Sequence, residues 1–593
     1  MRKEAIKWNL DDIIKEKDFD SFHKKTIREL KNLSKAIYLL SPNMKVKDFK
    51  NFIKKFEKVI ALSYRVTDFS MIYFTTHLND DKTLYYQGKS KDVSLQKAEL
   101  QIIFERWSKG LSVKGLKKLD TKNADRLFKA FPEFSFLLEH LRESKKHSLP
   151  LDEEKIITKK NTNLKSPLLQ LYSMITNEFT YELKLGKSRK PKKVDSASEL
   201  SKYIRSNNPA HRQAAYQAMF SPYKKNLSKL FNIYQAVVRD WSDNAAARKY
   251  KSPISIRNFS NNIEDRTIKT LMDVCSENRT VFQEYFRLKA RELKIKKLKR
   301  YDIYAPIGGG AANYTFKEAK KKVFEVFKNF TPGFYNRAKL IFDEHHIDSH
   351  PRKGKRSGAF CATVTPKITP YVLLNFNGKT SDMMTMAHEL GHGIHSLYSN
   401  KLSILVRSEP LPLAETASTF SEMLVFDKLI SELKDKKAKK AFLFDKIARS
   451  FATILRQNYF VKFEIAAYNK ILEGVTGEEL CDLYYDNLKE QFGSSIIIPN
   501  EFRYEWTYIP HIFRTPFYCY AYNFGELLSM SLYAIYKQEG KSFIPKIERI
   551  LSAGGSEKPS RLLREMGIDI NSKEFWQGSF KLVRTWIDML KKL

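Results

Sequence analysis

The 593-residue sequence predicts a mainly α-helical protein, and two observations carry that expectation. Apolar residues recur at helical spacing through most of the chain, and only 22 glycines and 20 prolines punctuate those patterns. The length exceeds the size at which one hydrophobic core stops growing, so at least two lobes are expected. A hydrophobic fraction of 42%, with 41 Phe and 30 Tyr, argues against long disordered regions. The 105 Lys and Arg against 67 Asp and Glu give a net charge of +38, a field able to attract nucleic acid, anionic membrane or acidic peptides. The lysines are spread along the chain, however, with no RNP motif, helix-turn-helix signature or zinc-finger spacing. They read as a solvated surface, and no specific nucleic-acid partner is expected. Cys275, Cys361, Cys481 and Cys519 lie far apart and read as free thiols of a reducing compartment. The start of the chain lacks an apolar core of signal-peptide length, and nowhere do ~18 apolar residues run together. The expectation is a soluble cytoplasmic protein without a membrane partner; oligomeric state is not specified.

From Phe49 to Leu62, Phe49, Phe52, Ile53, Phe56, Val59 and Ile60 recur at helical spacing with lysines between them, which predicts a core-facing helix with a solvated back. Similar patterns fill most of the first 180 residues, without ligand spacing or a phosphate loop. The run Lys184 to Val194 is the clearest break in composition and predicts a linker or exposed hairpin. The domain boundary is therefore set here, with an N-terminal helical lobe over 1–195 and a second domain over 196–593. Ser196 with Glu199 reads as a capping box, and Asn208-Pro209 as the start of another helix. Leu227, Leu230, Phe231, Tyr234, Val237, Val238 and Trp241 extend the helical array. Gly308-Gly309-Gly310 lacks the Gly-Lys-Ser/Thr closure of a nucleotide loop and reads as a flexible connection. Ala359–Thr365 and Tyr371–Phe376 are rich in Val, Thr, Leu and aromatics, which predicts a small antiparallel β-ribbon. Either its outer edge accepts a peptide as a further strand or it is an ordinary hairpin.

The next stretch, Met386 to His395, reads as a helix carrying the HExxH pattern. At ~100° per residue, His388 and His392 return to one face about a turn apart, so both imidazoles can reach a single metal ion. Glu389 lies about a quarter-turn round, where its carboxylate can act on water as a general base without becoming a ligand. Catalytic zinc takes three protein ligands. The metzincin pattern fails, because His395 and Tyr398 occupy the positions that need Gly and His. Leu413 to Glu422 supplies the other solution, a glutamate from a following helix whose small residues allow close packing. Glu415 is assigned as the third ligand and Glu422, seven residues on, as the partner that orients a ligand histidine. One Zn²⁺ per chain is expected.

The HELGH stretch, the preceding Gly354-Lys355-Arg356-Ser357-Gly358-Ala359-Phe360, the AETAS segment with Glu415, Pro516-Phe517-Tyr518, Leu551-Ser552-Ala553-Gly554-Gly555-Ser556 and Gly567-Ile568-Asp569 together resemble the oligoendopeptidase F branch of the thimet-oligopeptidase-like zinc metallopeptidases. The resemblance runs from about Asp195 to the end and more weakly through the N-terminal lobe. It implies a two-lobed helical shell around a deep substrate channel that admits short unfolded peptides, with zinc on His388, His392 and Glu415 and Glu389 as general base. It also implies that a histidine and tyrosines in the aromatic run Trp506–Tyr522 stabilise the oxyanion; His511 fits, with Tyr522 favoured and Tyr518 next. On composition alone that run reads as core. The expected activity is zinc-dependent endopeptidase cleavage of short peptides. The alternatives are a zinc carboxypeptidase of similar helical fold and a basic nucleic-acid binder on a degenerate peptidase fold, against which the intact Glu389 speaks.

Overall fold

The computed structural model describes residues 6–186, 191–308 and 313–593. Gly309 and Gly310 of the glycine triplet, and residues 187–190 of the basic break, lie outside the described residues. The fold is mainly helical, as expected, with a few very short strands. It divides into two compact units, each assembled from three stretches of chain. One unit comprises Met1–Ser148, Ala311–Glu432 and Leu532–Asp569; the other comprises Leu149–Gly310, Leu433–Ser531 and Ile570–Leu593.

The first unit opens with helices α1 (Phe19–Ala36), α2 (Val46–Thr76) and α3 (Asp81–Ser108). On α2, Phe49, Phe52, Ile53, Phe56, Val59 and Ile60 are buried as their spacing predicts. Their hydrophobic cluster also contains Ala362, Val364, Ile368 and Tyr371, so the N-terminal helices share one core with the ribbon. The compact units therefore do not follow a single cut at 195/196. Sequence neighbourhood favoured that cut, whereas burial joins the N-terminal helices to residues some 300 positions away. The segment after residue 5 is also tied there: Ile6 N donates to Ser349 Oγ at 2.8 Å and Asn9 N to the His345 carbonyl at 3.1 Å.

After α4 (Phe316–Phe330) and α5 (Pro332–Asp343), the chain forms β1 (Ile347–Asp348), β2 (Phe360–Ala362) and β3 (Tyr371–Leu373). β2 and β3 pair antiparallel as expected, while β1 adds in parallel to the other side of β3. A two-residue strand is too short to leave a periodic signal. Lys355 holds this sheet from below: its buried ammonium pairs with Asp348 at 2.6 Å and donates to the His350 carbonyl at 2.8 Å. Gly354 and Gly358 on either side take positive φ of 79° and 85°, a region other residues enter with strain. Helix α6 (Thr380–Ser399) follows and packs against α5, β2 and β3, against α7 (Thr416–Glu432), and against α8 (Ile544–Ala553).

In the second unit, Tyr181–Leu183 and Lys192–Val194 pair antiparallel, so the composition break at 184–194 falls within a hairpin. Ser196 Oγ accepts from Glu199 N at 3.2 Å and starts the helix Ala197–Ile204. Asn208 Oδ1 accepts from Ala210 N at 2.9 Å and caps Pro209–Lys225. The helix Leu227–Ala247 buries Leu227, Leu230, Ile233, Tyr234, Val237 and Val238. At the centre of this unit Glu505, 2% exposed, accepts from Arg300 at 2.7 Å, Arg456 at 2.8 Å and the Tyr484 hydroxyl at 3.0 Å. Each charge is tolerable in the interior only because the others compensate it. Glu505→Ala, which leaves two guanidiniums without their shared carboxylate, is expected to cost on the order of 3–5 kcal/mol. Chemical denaturation reads this as a lowered midpoint, and an unchanged midpoint contradicts the account.

Candidate metal centre

Helix α6 carries the two histidines into a tight crossing with α7. A Cβ on Gly391 would lie 2.5 Å from Ser418 Cα and 2.6 Å from the Ala417 carbonyl oxygen. Gly391 therefore lets the backbones approach to a distance that any side chain forbids. The small residues Ala417 and Ser418 provide the other half of that approach. Its result is that His388, His392 and Glu415 each place one ligand atom within 4.8 Å of the others. His388 Nε2 is 3.2 Å from His392 Nε2 and 3.3 Å from Glu415 Oε2, which lies 3.6 Å from His392 Nε2. Glu415 sits at the junction between the short turn Leu411–Ala414 and α7, not within a helix. Its Oε2 accepts from Ser418 Oγ at 2.8 Å, so the carboxylate is held by the segment that packs against Gly391.

On the far side of the His388 ring, Nδ1 is 2.6 Å from Glu422 Oε1. The carboxylate fixes a proton on Nδ1, which leaves Nε2 directed at Glu415 and His392. Two imidazole nitrogens and one carboxylate oxygen converging in this way can hold a divalent cation of the zinc type. Burial alone would lower the His388 pKa, but its contact with Glu422 and the charges of Glu415 and Glu389 raise it to about 9. His392, desolvated and beside His388, falls to about 4. Without metal, one proton therefore sits on His388 between two acceptors, at the position a cation would take.

Glu389 is 7% exposed, and burial pushes its carboxyl up to about 7 despite the His388 charge and a backbone N–H from Cys361. That range suits a group that takes and returns protons near neutral pH. Cys361 belongs to β2, the edge strand, so the ribbon's outer edge does face this site. His388, Glu389 and His392 share a cavity of about 420 Å³ with Cys361, Thr363, Ser396, Arg407 and Glu409. The sequence reading missed the last three. Ser396, four residues beyond His392 on the same helix face, was legible from spacing; Arg407 and Glu409 sit in an irregular stretch and were not.

His511, Tyr518 and Tyr522 lie in the second unit and come together there. Tyr522 OH is 3.4 Å from His511 Nε2, and the Tyr518 ring stacks on His511 and meets Tyr522 edge-on at 5.1 Å between centroids. Burial and the neighbouring Arg514 lower the His511 pKa, which favours a neutral ring. A second group with ligand spacing, Asp12, Glu344 and His346, lies in the first unit. There the buried His346 bonds the Thr369 carbonyl at 2.9 Å and Asp12 at 3.1 Å, contacts that pin the N-terminal segment.

The sequence comparisons place this arrangement in the peptidase class. The chain belongs to Peptidase family M3, whose sequence model matches residues 202–582. An oligoendopeptidase F homolog of Borreliella burgdorferi is 28% identical over 474 residues, 77% of each chain. The oligopeptidase PepF of Bacillus subtilis is 26% identical over 471 residues, 78% of this chain and 69% of its own. The oligoendopeptidase F homolog of Lactococcus lactis is 25% identical over the whole of this chain and 97% of its own. Crystal structures of a Chlamydophila abortus protein and of oligoendopeptidase-F from Enterococcus faecium share the fold. Their TM-scores are 0.85 and 0.69 at 22% and 19% identity, covering 99% and 97% of this chain and 98% of each of theirs. The resemblance drawn from the HELGH, AETAS and C-terminal motifs is thus borne out. Among the described residues no helix is long and apolar enough to cross a membrane.

Two outcomes follow from the crossing and from the histidine proton. Gly391→Ala should destabilise the protein by about 1–3 kcal/mol, because the new methyl group meets backbone and not a movable side chain; a midpoint equal to that of the parent would mean the helices part without cost. In metal-free protein, the folded His388 pKa of about 9 lies above its ordinary 6.5. The resulting stabilisation is complete below about pH 6.5 and is lost as pH rises through about 9. Urea midpoints of chelator-treated protein should therefore fall more between those pH values than midpoints of Glu422→Gln, and parallel pH profiles would contradict the assignment.

Proposed function

We propose that this peptidase is a zinc-dependent endopeptidase that hydrolyses short unfolded peptides in a closed channel. The convergence of His388, His392 and Glu415, with Glu389 beside them and a strand edge bordering the same cavity, is the observation that carries the reading. The names of the relatives, oligoendopeptidase and oligopeptidase, support the substrate class. The four cysteines, none of them bridged, support a cytoplasmic setting.

His388, His392 and Glu415 would hold one Zn²⁺ per chain. The chemistry the ion supplies there is Lewis acidity towards the scissile carbonyl and towards water. Glu422 keeps the His388 ring in the tautomer that offers Nε2, and Ser418 keeps Glu415 turned towards both histidines. Glu389 accepts the proton of the attacking water and passes it to the leaving amine. His511 and Tyr522, with Tyr518 next, are the proposed donors to the oxyanion of the tetrahedral intermediate.

Glu389→Gln should retain metal and bind peptide yet lose turnover by several orders of magnitude, since an amide cannot accept the proton. Near-normal kcat in that variant would remove the general-base role. Tyr522→Phe deletes one hydroxyl and should lower kcat by ~10²–10³ with little change in KM. If Tyr522→Phe is silent and Tyr518→Phe is damaging, the donor is Tyr518; if both are silent, the tyrosines are packing residues.

A further inference from the structure

Beyond the metal centre, the 420 Å³ cavity continues along α6 to a group of polar side chains that the mechanism does not use. Ser396 lies one turn past His392, but its hydroxyl oxygen is wholly enclosed by the chain and does not open onto the cavity. Arg407 is 5% exposed, and its one side-chain hydrogen bond among the described residues runs from Nη1 to Asn400 Oδ1 at 3.3 Å. A guanidinium carries five N–H donors, so most of its capacity is unspent. Glu409, also lining the cavity, and Asp68 are the carboxylates whose charges act on Arg407, and the Glu409 carboxylate makes no hydrogen bond or ion pair among the described residues. A buried guanidinium and a half-buried carboxylate thus line one space with their hydrogen-bonding capacity open. Interior polar groups are rarely left so without a ligand or water to complete them.

The wall that carries Arg407 and Glu409 is fixed in place. Gly555 N donates to the Val406 carbonyl at 2.8 Å, and a Cβ at Gly554 or Gly555 would lie 2.4 Å from the carbonyl oxygen of Arg407 or Ser408 respectively. The two glycines at the end of α8 let the irregular stretch 406–408 lie directly on their backbone. A rigid polar wall of this kind is what discrimination between side chains requires.

We infer that this cavity is a subsite selecting a carboxamide side chain, Asn or Gln, on a substrate residue beside the scissile bond; the inference rests on the peptidase reading above. A carboxamide presents one acceptor and two donors. Its oxygen accepts from Arg407 and its NH₂ donates to Glu409. A carboxylate would satisfy Arg407 but sit against Glu409 and Glu389, and a lysine would meet those carboxylates but face the guanidinium. A leucine would leave the buried donors unpaired, and sites built of hydrogen-bonding groups discriminate strongly against ligands that lack them.

The test uses the full chain and a peptide whose single cleavage site has been located by mass spectrometry. Gln, Asn, Glu, Lys and Leu are placed in turn at each residue flanking the bond, and kcat/KM is read in competition. At one of the two positions Gln and Asn should exceed Leu, Glu and Lys by about tenfold or more. That ratio should shrink to within about threefold in Glu409→Ala and in Arg407→Met. Glu409 is only half-buried, so Glu409→Ala carries the test if Arg407→Met does not fold. Leu, Glu or Lys as the best residue at both positions, or an unmoved ratio in Glu409→Ala, overturns the inference while leaving the peptidase reading intact. Failure to cleave any peptide of the series overturns that reading and the inference with it.

Discussion

The close crossing of α6 and α7 at Gly391 is the constraint on which the candidate site depends. Gly391 against Ala417 and Ser418 leaves no room for a side chain between the two backbones. That approach brings Glu415 and Glu422, from the second helix and its leading turn, to opposite edges of the His388 ring. A wider crossing would keep the HExxH spacing intact and still separate the third donor from the first two. Gly391 is thus a structural requirement of the same rank as the donors, although it touches no ligand.

Around this crossing, functional side chains are held by their neighbours. Ser418 steadies Glu415, Glu422 steadies His388, and the Cys361 backbone N–H reaches Glu389 from the edge strand. The surroundings also push neighbouring titratable groups apart, with His388 near 9, Glu389 near 7 and His392 near 4. Burial supplies most of the downward pull on His392 and the upward push on Glu389, and the Glu422 contact reverses it for His388. A site tuned in this way has one proton to exchange for a cation and one carboxylate able to shuttle protons.

Much of this was legible in the sequence, because helical periodicity is a local property. The i, i+4 histidines, the adjacent glutamate and the Glu415/Glu422 pair all follow from spacing along one or two helices, and the small residues Ala417 and Ser418 announce the close packing. The helix over Phe49–Leu62 and the antiparallel pair of the ribbon were readable for the same reason. Long-range features were not. Nothing local in Ile347–Asp348 marks a strand, because its pairing with β3 is fixed by the fold and not by its two residues. Likewise, the hydrophobic run of α2 says that it faces a core but not that the core includes Tyr371 and Ile368. Arg407 and Glu409 escaped notice because an irregular stretch has no period, and their placement depends on Gly554 and Gly555, about 150 residues away.

The central claim is that His388, His392 and Glu415 together hold one zinc ion. Metal analysis of chelator-stripped, zinc-reconstituted and gel-filtered protein tests it most directly, with Glu415→Ala measured beside the parent at matched folding. The account predicts about one zinc per chain in the parent and near-complete loss in the variant. Full occupancy in Glu415→Ala would contradict it and pass the third position to another group, Glu422 being the first to examine.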